Sequence, residues 1–156
     1  MARALIVGCG CHGRALGAAL AGRGWVVRGT SRGQEGAAAI EAAGIEPAVA
    51  DPDRIGTVLD AIEGVALIYW LFGRVAAPEL HGPRLERLLA EIVDTPVRAL
   101  VYELNEELEP GDAAAAFEAL RSANERWRIP FEVVAAERGT ENWLEGMTAA
   151  AAELVG

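Results

Sequence analysis

The chain has 156 residues, 52% of them hydrophobic, and a formal net charge of −9. That length suits one domain, and the apolar fraction, much of it Ala, suits a core of helices packed closely on a sheet. The acidic balance argues against nucleic acid or an anionic membrane surface as main partner, since both need a positive footprint. All 14 basic residues are Arg, which excludes Schiff-base chemistry, a phosphate-loop lysine and any lysine acid or base. The only cysteines, Cys9 and Cys11, are too close in sequence for an ordinary disulfide. "MARALIV" has no long apolar segment before its glycines, and the longest apolar run, "VALIYWLF", is too short to cross a bilayer. The expectation is a soluble cytoplasmic protein with no membrane partner.

Apolar runs alternate with helical patterns from end to end. "RALIV" from Arg3, "WVVRG" from Trp25, "IEPAVA" from Ile45, "VALIYWLF" from Val65, "VRALVYEL" from Val97 and "PFEVVAA" from Pro130 predict six strands. Leu85, Leu88, Leu89 and Ile92 predict one face of a helix. Gly24, Gly44 and Gly64 stand just before the second, third and fourth strands, where a helix-ending glycine of positive φ belongs. Near-continuous apolar strands alternating with helices imply an α/β fold: a parallel sheet covered on both faces, with right-handed crossovers. The polar stretch "ELNEELEPGD" from Glu103 reads as a loop.

The first strand runs into Gly8, Gly10 and Gly13, a G-x-G-x-x-G that opens a predicted helix. In that context the pattern points to a dinucleotide. Gly8 allows the tight turn, Gly10 lets a pyrophosphate approach the backbone, and Gly13 lets the helix pack close to the sheet. Cys11, His12 and Gly13 then offer backbone N–H groups at the positive end of that helix. The fingerprint for NAD has Asp or Glu at the end of the second strand to hold the ribose 2′-hydroxyl. This chain has Arg28, Gly29, Thr30, Ser31 and Arg32 there. Two hydroxyls and a guanidinium suit a 2′-phosphate, so NADP(H) is expected ahead of NAD(H). Arg28 lies inside the strand, which makes Arg32 the favoured cation; a plain surface arginine is the alternative. Asp51, after the third strand, can reach an adenine edge, and Asp51 or Asp53 can equally be a helix cap.

These motifs carry a resemblance. The glycine loop, the "GTSR" after the second strand, the "ADPDRIGTVLDAIEGVALI" block and the "VRALVYEL" strand resemble atypical and extended short-chain dehydrogenase/reductases, including NAD(P)H-binding and sugar-epimerase-like relatives. The resemblance covers about the first two thirds of the chain. It implies a single Rossmann domain over residues 1–156, strand order 3-2-1-4-5-6 and NADP(H) as ligand, with Leu71, Phe72 and Gly73 along the cofactor. It also exposes departures. Such enzymes carry Ser or Thr after strand five and then Tyr-x-x-x-Lys on the next helix. Here the strand ends "VYELN", and Phe117 to Arg121, "FEALR", fall where the pair is expected. Phe has no hydroxyl, and Arg does not give up its proton near neutral pH. The chain ends soon after the sixth strand, without the segments that form a substrate lobe in larger relatives.

Other chemistry-bearing residues read as follows. Cys9, Cys11 and His12 lack metal-site spacing, so no metal is expected, and the thiols read first as small fillers, with redox sensitivity of Cys11 as the sharper alternative. His12 is a candidate proton donor or a spacer; His81, before Pro83, reads as a loop or cap residue. Trp70 and Phe72 line either a nicotinamide pocket or the core, and Trp127 and Trp143 either the core or a dimer face. Glu103 and Asn105, closing strand five, are the best polar groups for touching a substrate. The expected function is NADP(H) binding with hydride transfer to a small unidentified acceptor; a non-catalytic NADPH/NADP⁺ sensor is the alternative. A homodimer through the helices carrying "HGPRLERLLAEIV" and "AAAAFEALRSANERW" is also expected.

Overall fold

In the computed structural model, residues 2–72, 75 and 77–155 are described. The elements run β1 (Arg3–Val7), α1 (Cys11–Ala21), β2 (Val26–Ser31), α2 (Gln34–Ala42), β3 (Glu46–Val49), α3 (Ile55–Leu59) and β4 (Val65–Trp70). They continue with α4 (Pro78–His81), α5 (Pro83–Ile92), β5 (Ala99–Glu103), α6 (Pro110–Trp127), β6 (Phe131–Val134) and α7 (Glu141–Val155). The six expected strands all form, and they lie parallel in one sheet of order β3-β2-β1-β4-β5-β6. The order reverses between β1 and β4, so the C-terminal edges of these two strands open a crevice.

Strand alternation divides the core in two. Leu5 and Val7 face one side and pack with Ile55 and Val58 of α3, Leu80 of α4, the α5 stripe and Ala116, Ala119, Leu120 and Ala123 of α6. Ala4 and Ile6 face the other side, toward Leu16 and Leu20 of α1, Ile40 of α2, and Trp143 and Met147 of α7. The stripe Leu85, Leu88, Leu89 and Ile92 is fully consumed by the first of these layers. Small residues set the spacing of the second. A Cβ on Gly17 of α1 would come within 2.4 Å of Ile45 Cδ1, so a side chain there requires Ile45 to move. Gly24, Gly44 and Gly64 have positive φ before β2, β3 and β4, as their placement predicts.

Arg28 points away from the crevice edge. Its guanidinium donates to the carbonyls of Ala61 and Glu63 and approaches Glu46, which Arg3 also pairs. Among the described residues no helix is long and apolar enough to cross a membrane.

Candidate functional site

The three glycines of the first loop occupy three different environments. Gly8 has φ +87°, and a Cβ there would meet the Phe72 ring at 2.9 Å and the Leu71 carbonyl at 3.0 Å. Gly8 is thus forced both by its backbone conformation and by the end of β4. Gly13 faces Cys9 Sγ and Ile6 Cγ2, each 3.3 Å from where its Cβ would be, which brings α1 down on β1. Gly10 has nothing within 4 Å of that position. It is the N-cap of α1, with no side-chain cap and no acidic residue in the first turn. The N–H groups of Cys11, His12 and Gly13 open the helix and have no acceptor within it. An open glycine face over uncapped N–H groups at the positive helix end is a seat for an anion.

The second strand braces this loop. The Gly8 N–H donates to Thr30 Oγ1 at 3.2 Å and the Cys9 N–H to the Thr30 carbonyl at 3.0 Å. Thr30 is buried, so its hydroxyl holds the loop from below instead of joining Ser31 and Arg32 as a ligand group. Strand alternation explains this correction: adjacent residues of β2 face opposite ways. Ser31 sits over the start of α2, where its hydroxyl leaves no room for a side chain at Gly36. Arg32 is largely exposed, with Nε 4.0 Å from Asp51 Oδ1. Asp51 accepts from the Asp53 N–H and is not a helix cap; the N-cap of α3 is Arg54. Arg32 and Asp51 therefore face one another across the ends of β2 and β3, beside the crevice.

The other wing is built on Glu103. Its carboxylate, fully buried at the end of β5, is held by a bidentate pair with Arg138 and by the Trp143 indole N–H at 2.9 Å. Arg138 also donates to the Leu71 carbonyl. One guanidinium thus ties together the ends of β4 and β5 and the loop after β6. Glu103 is a clamp partner, not a group presented to substrate. No local pattern signals this pair, because Arg138 lies 35 residues from Glu103. Beyond the clamp opens a cavity of about 440 Å³, lined by Leu104, Asn105, Ala113, Ala135 and Ala136 together with Glu106, Glu107, Glu137 and Arg138. Asn105, singled out from sequence, reaches it; its Oδ1 accepts from the Glu107 N–H.

His12 packs edge-on to Trp143, with ring centroids 6.2 Å apart, and lies against Gly139. Leu71 and Phe72 are buried at the crevice floor, and Trp70 is wholly in the core, its indole N–H donating to the Leu80 carbonyl. Gly73 lies outside the described residues. Cys9 is buried with its sulfur turned toward Gly13 and Gly29, whereas Cys11 is exposed, so the two thiols do not converge on one ligand. Burial pushes the Cys9 thiol up to about 11, against the opposing charge of Arg14.

Two further expectations need correction. His81 is not a loop or cap residue: it is fully buried at the end of α4, bonded to Tyr102 at 2.6 Å and to the Val75 carbonyl at 2.8 Å. Phe117 does not face the cavity. It packs edge-on to Phe131, the first residue of β6, at the opposite end of the sheet, while Arg121 pairs with Glu118 and Glu125 in solvent. The α6 residue that does line the cavity is Ala113, one turn earlier.

No protein-family model matches this chain, and no curated protein matches it. Solved structures do. UDP-glucose 4-epimerase from Brucella ovis in complex with NAD is 13% identical, with a TM-score of 0.68 over 86% of this chain and 51% of that one. A short-chain dehydrogenase/reductase superfamily protein from Agrobacterium tumefaciens with bound NAD is 22% identical, with a TM-score of 0.61 over 85% and 48%. UDP-glucuronic acid 4-epimerase from Bacillus cereus in complex with NAD is 13% identical, with a TM-score of 0.62 over 84% and 55%. The chain spans about half the length of these proteins. It has their fold, with its own six parallel strands in the order β3-β2-β1-β4-β5-β6 and helices on both faces.

Proposed function

We propose that the chain binds a nicotinamide dinucleotide along the C-terminal edge of its sheet, NADP(H) in preference to NAD(H), and acts as an oxidoreductase on a small molecule in the cavity beyond β5. The observation that carries this reading is the glycine loop: an open face at Gly10 above the uncapped end of α1. The residues fit a dinucleotide from end to end. Ser31, Arg32 and Asp51 would hold the adenosine end, with Arg32 as the 2′-phosphate cation. The N–H groups of Cys11, His12 and Gly13 would hold the diphosphate. Leu71 and Phe72 would bound the nicotinamide end, where His12 and the Arg138 clamp close the site. That three structural neighbours are complexes with NAD supports a nicotinamide dinucleotide as the ligand class.

When bound, a reduced nicotinamide supplies hydride. The chain's own part is to bind, orient and exclude water. Arg138 and Glu103 keep the ends of β4 and β5 and the loop after β6 at fixed separation, which positions the cavity relative to the crevice. The described cavity lining contains no phenol, hydroxyl, imidazole or ammonium. Burial raises both tyrosine phenols well above their usual range, and both are engaged elsewhere, Tyr69 with the Met147 carbonyl and Tyr102 with His81. The open cavity supports an enzyme over a pure sensor, since its volume falls within the range of small-molecule sites, about 300–1,000 Å³.

Calorimetric titration with NADPH and NADH tests the proposal. NADPH is expected to bind more tightly. Equal affinities remove the NADP(H) preference, and no binding of either removes the dinucleotide reading.

A further inference from the structure

We propose that His12 is a positioning residue for the diphosphate seat: its imidazole ring, lodged between the Trp143 indole and Gly139, holds the first turn of α1 against the loop after β6. The proposal rests on the dinucleotide reading above and assigns a further role within that same site.

The reason lies in what α1 lacks. Its N-cap is Gly10, with no side-chain cap, and its first turn holds no acidic residue. A helix end without a cap frays. N–H groups that must be ordered as the anion arrives bind it more weakly than groups ordered beforehand. A tight seat here therefore needs support from outside the helix. Of the three residues whose N–H groups open it, Cys11 is exposed and Gly13 has no side chain. His12 carries the ring that meets other elements. It stands edge-on to Trp143 of α7, with centroids 6.2 Å apart, and a Cβ on Gly139 would lie 2.9 Å from its Cε1.

The walls of this slot are themselves anchored. Gly139 has φ +83°, a left-handed turn that Thr140 closes: its Oγ1 donates to the Glu137 carbonyl at 2.6 Å and accepts from the Trp143 N–H at 3.2 Å. Arg138, just before Gly139, is tied to Glu103 of β5 and to the Leu71 carbonyl. The buried Glu103 carboxylate also accepts from the Trp143 indole N–H. Both walls thus hang on one carboxylate. The same tie reaches the other end of the glycine loop, because a Cβ on Gly8 would meet the Leu71 carbonyl at 3.0 Å. Gly8 and His12 are held by supports that lie far along the chain, and a shift of the His12 ring carries its own N–H out of the seat.

The test separates the two ends of the ligand. NADPH spans the diphosphate seat, whereas adenosine 2′-phosphate carries only the end assigned to Ser31, Arg32 and Asp51. Both are titrated calorimetrically into the full chain and its variants, with denaturant midpoints measured alongside. His12→Ala is expected to weaken NADPH about tenfold, the scale of one coupled contact, and to leave adenosine 2′-phosphate unchanged. His12→Phe keeps a planar ring without ring nitrogens and is expected to restore most of the lost affinity. Gly139→Ala is expected to weaken NADPH too, because its methyl displaces the ring, and to cost little more once His12 is already Ala. The proposal is overturned if His12→Ala binds NADPH like the parent, if adenosine 2′-phosphate weakens as much as NADPH, or if the two losses simply add. His12→Phe as weak as His12→Ala also overturns it, since the role then belongs to the ring nitrogens. Should Gly139→Ala not fold, the His12 series decides alone. Failure of the parent to bind NADPH removes the dinucleotide reading itself, whereas failure of this proposal alone is seen in a parent that binds, so the two are distinguishable.

Discussion

At the scale of single residues, neighbouring glycines of one motif have opposite sensitivities. Gly8→Ala places a Cβ 2.9 Å from the Phe72 ring at φ +87°. It is expected to lower stability by about 1 kcal/mol or more, read from denaturant midpoints. Gly10→Ala, in extended backbone with nothing within 4 Å, is expected to leave stability nearly unchanged and to abolish dinucleotide binding, because the methyl fills the phosphate seat. If both variants bind NADPH like the parent, the seat is elsewhere. Arg32→Ala is expected to weaken NADPH by about 1–3 kcal/mol and leave NADH nearly unaffected, the range for a hydrogen bond to a charged group. Asp51 competes for the same guanidinium, so Asp51→Asn should shift the NADPH preference upward. The two thiols should also separate: with Cys9 buried and its thiol raised to about 11, an alkylating agent at neutral pH is expected to label Cys11 first, as resolved by peptide mass spectrometry.

At the scale of elements, polar ties between distant segments hold the periphery in place. The Val75 carbonyl can only accept, so in the neutral His81 ring Nε2 carries the proton and Nδ1 accepts from the Tyr102 hydroxyl. This joins α4 and the segment after β4 to β5. Tyr102→Phe removes the donor and leaves a buried ring nitrogen unpaired, an expected loss of about 1–3 kcal/mol. At the opposite edge Arg3 of β1 reaches Glu46 of β3, with Arg28 of β2 beside them. The hydrogen bond from Arg3 holds the Glu46 carboxyl below its ordinary 4.5. A carboxyl lowered in the folded state contributes stability above its unfolded value and loses it as pH falls through the folded one. Glu46→Gln should therefore lower stability at neutral pH, by only the small amount a partly exposed pair contributes, leave the acid limit unchanged and so flatten the curve below about pH 4.5, as read from denaturant midpoints across pH.

At the scale of the whole molecule, the α5 stripe that suggested a second copy is already buried within the protomer. What remains on that side is a groove between α5 and α6 that includes the half-exposed Trp127. A homodimer through this groove is expected to be seen by light scattering and to be lost in Trp127→Glu; a monomer for the parent at high micromolar concentration removes the idea. The position of α6 also decides the fate of "FEALR". Because Phe117 lies against Phe131 at the far end of the sheet, Phe117→Tyr with Arg121→Lys is expected to yield no ketone reduction, measured by product formation with NADPH present.

What the sequence determined by itself is whatever depends on neighbours along the chain. Strand and helix periods, the helix-ending glycines and the G-x-G-x-x-G all follow from local sterics and backbone hydrogen bonding, so six strands and the loop at Gly8 to Gly13 were legible before any fold was known. The side of a strand that a residue faces was less so: Thr30 next to Ser31 looked like a ligand group and turned out to brace the loop. What only the tertiary structure decided are the contacts between residues far apart in sequence. Glu103 meets Arg138 and Trp143, His81 meets Tyr102, and Ala113 instead of Phe117 faces the cavity. Each depends on how strands line up across the sheet and how far a helix slides along it, and those are fixed by the sum of many packing contacts that no short stretch of sequence carries.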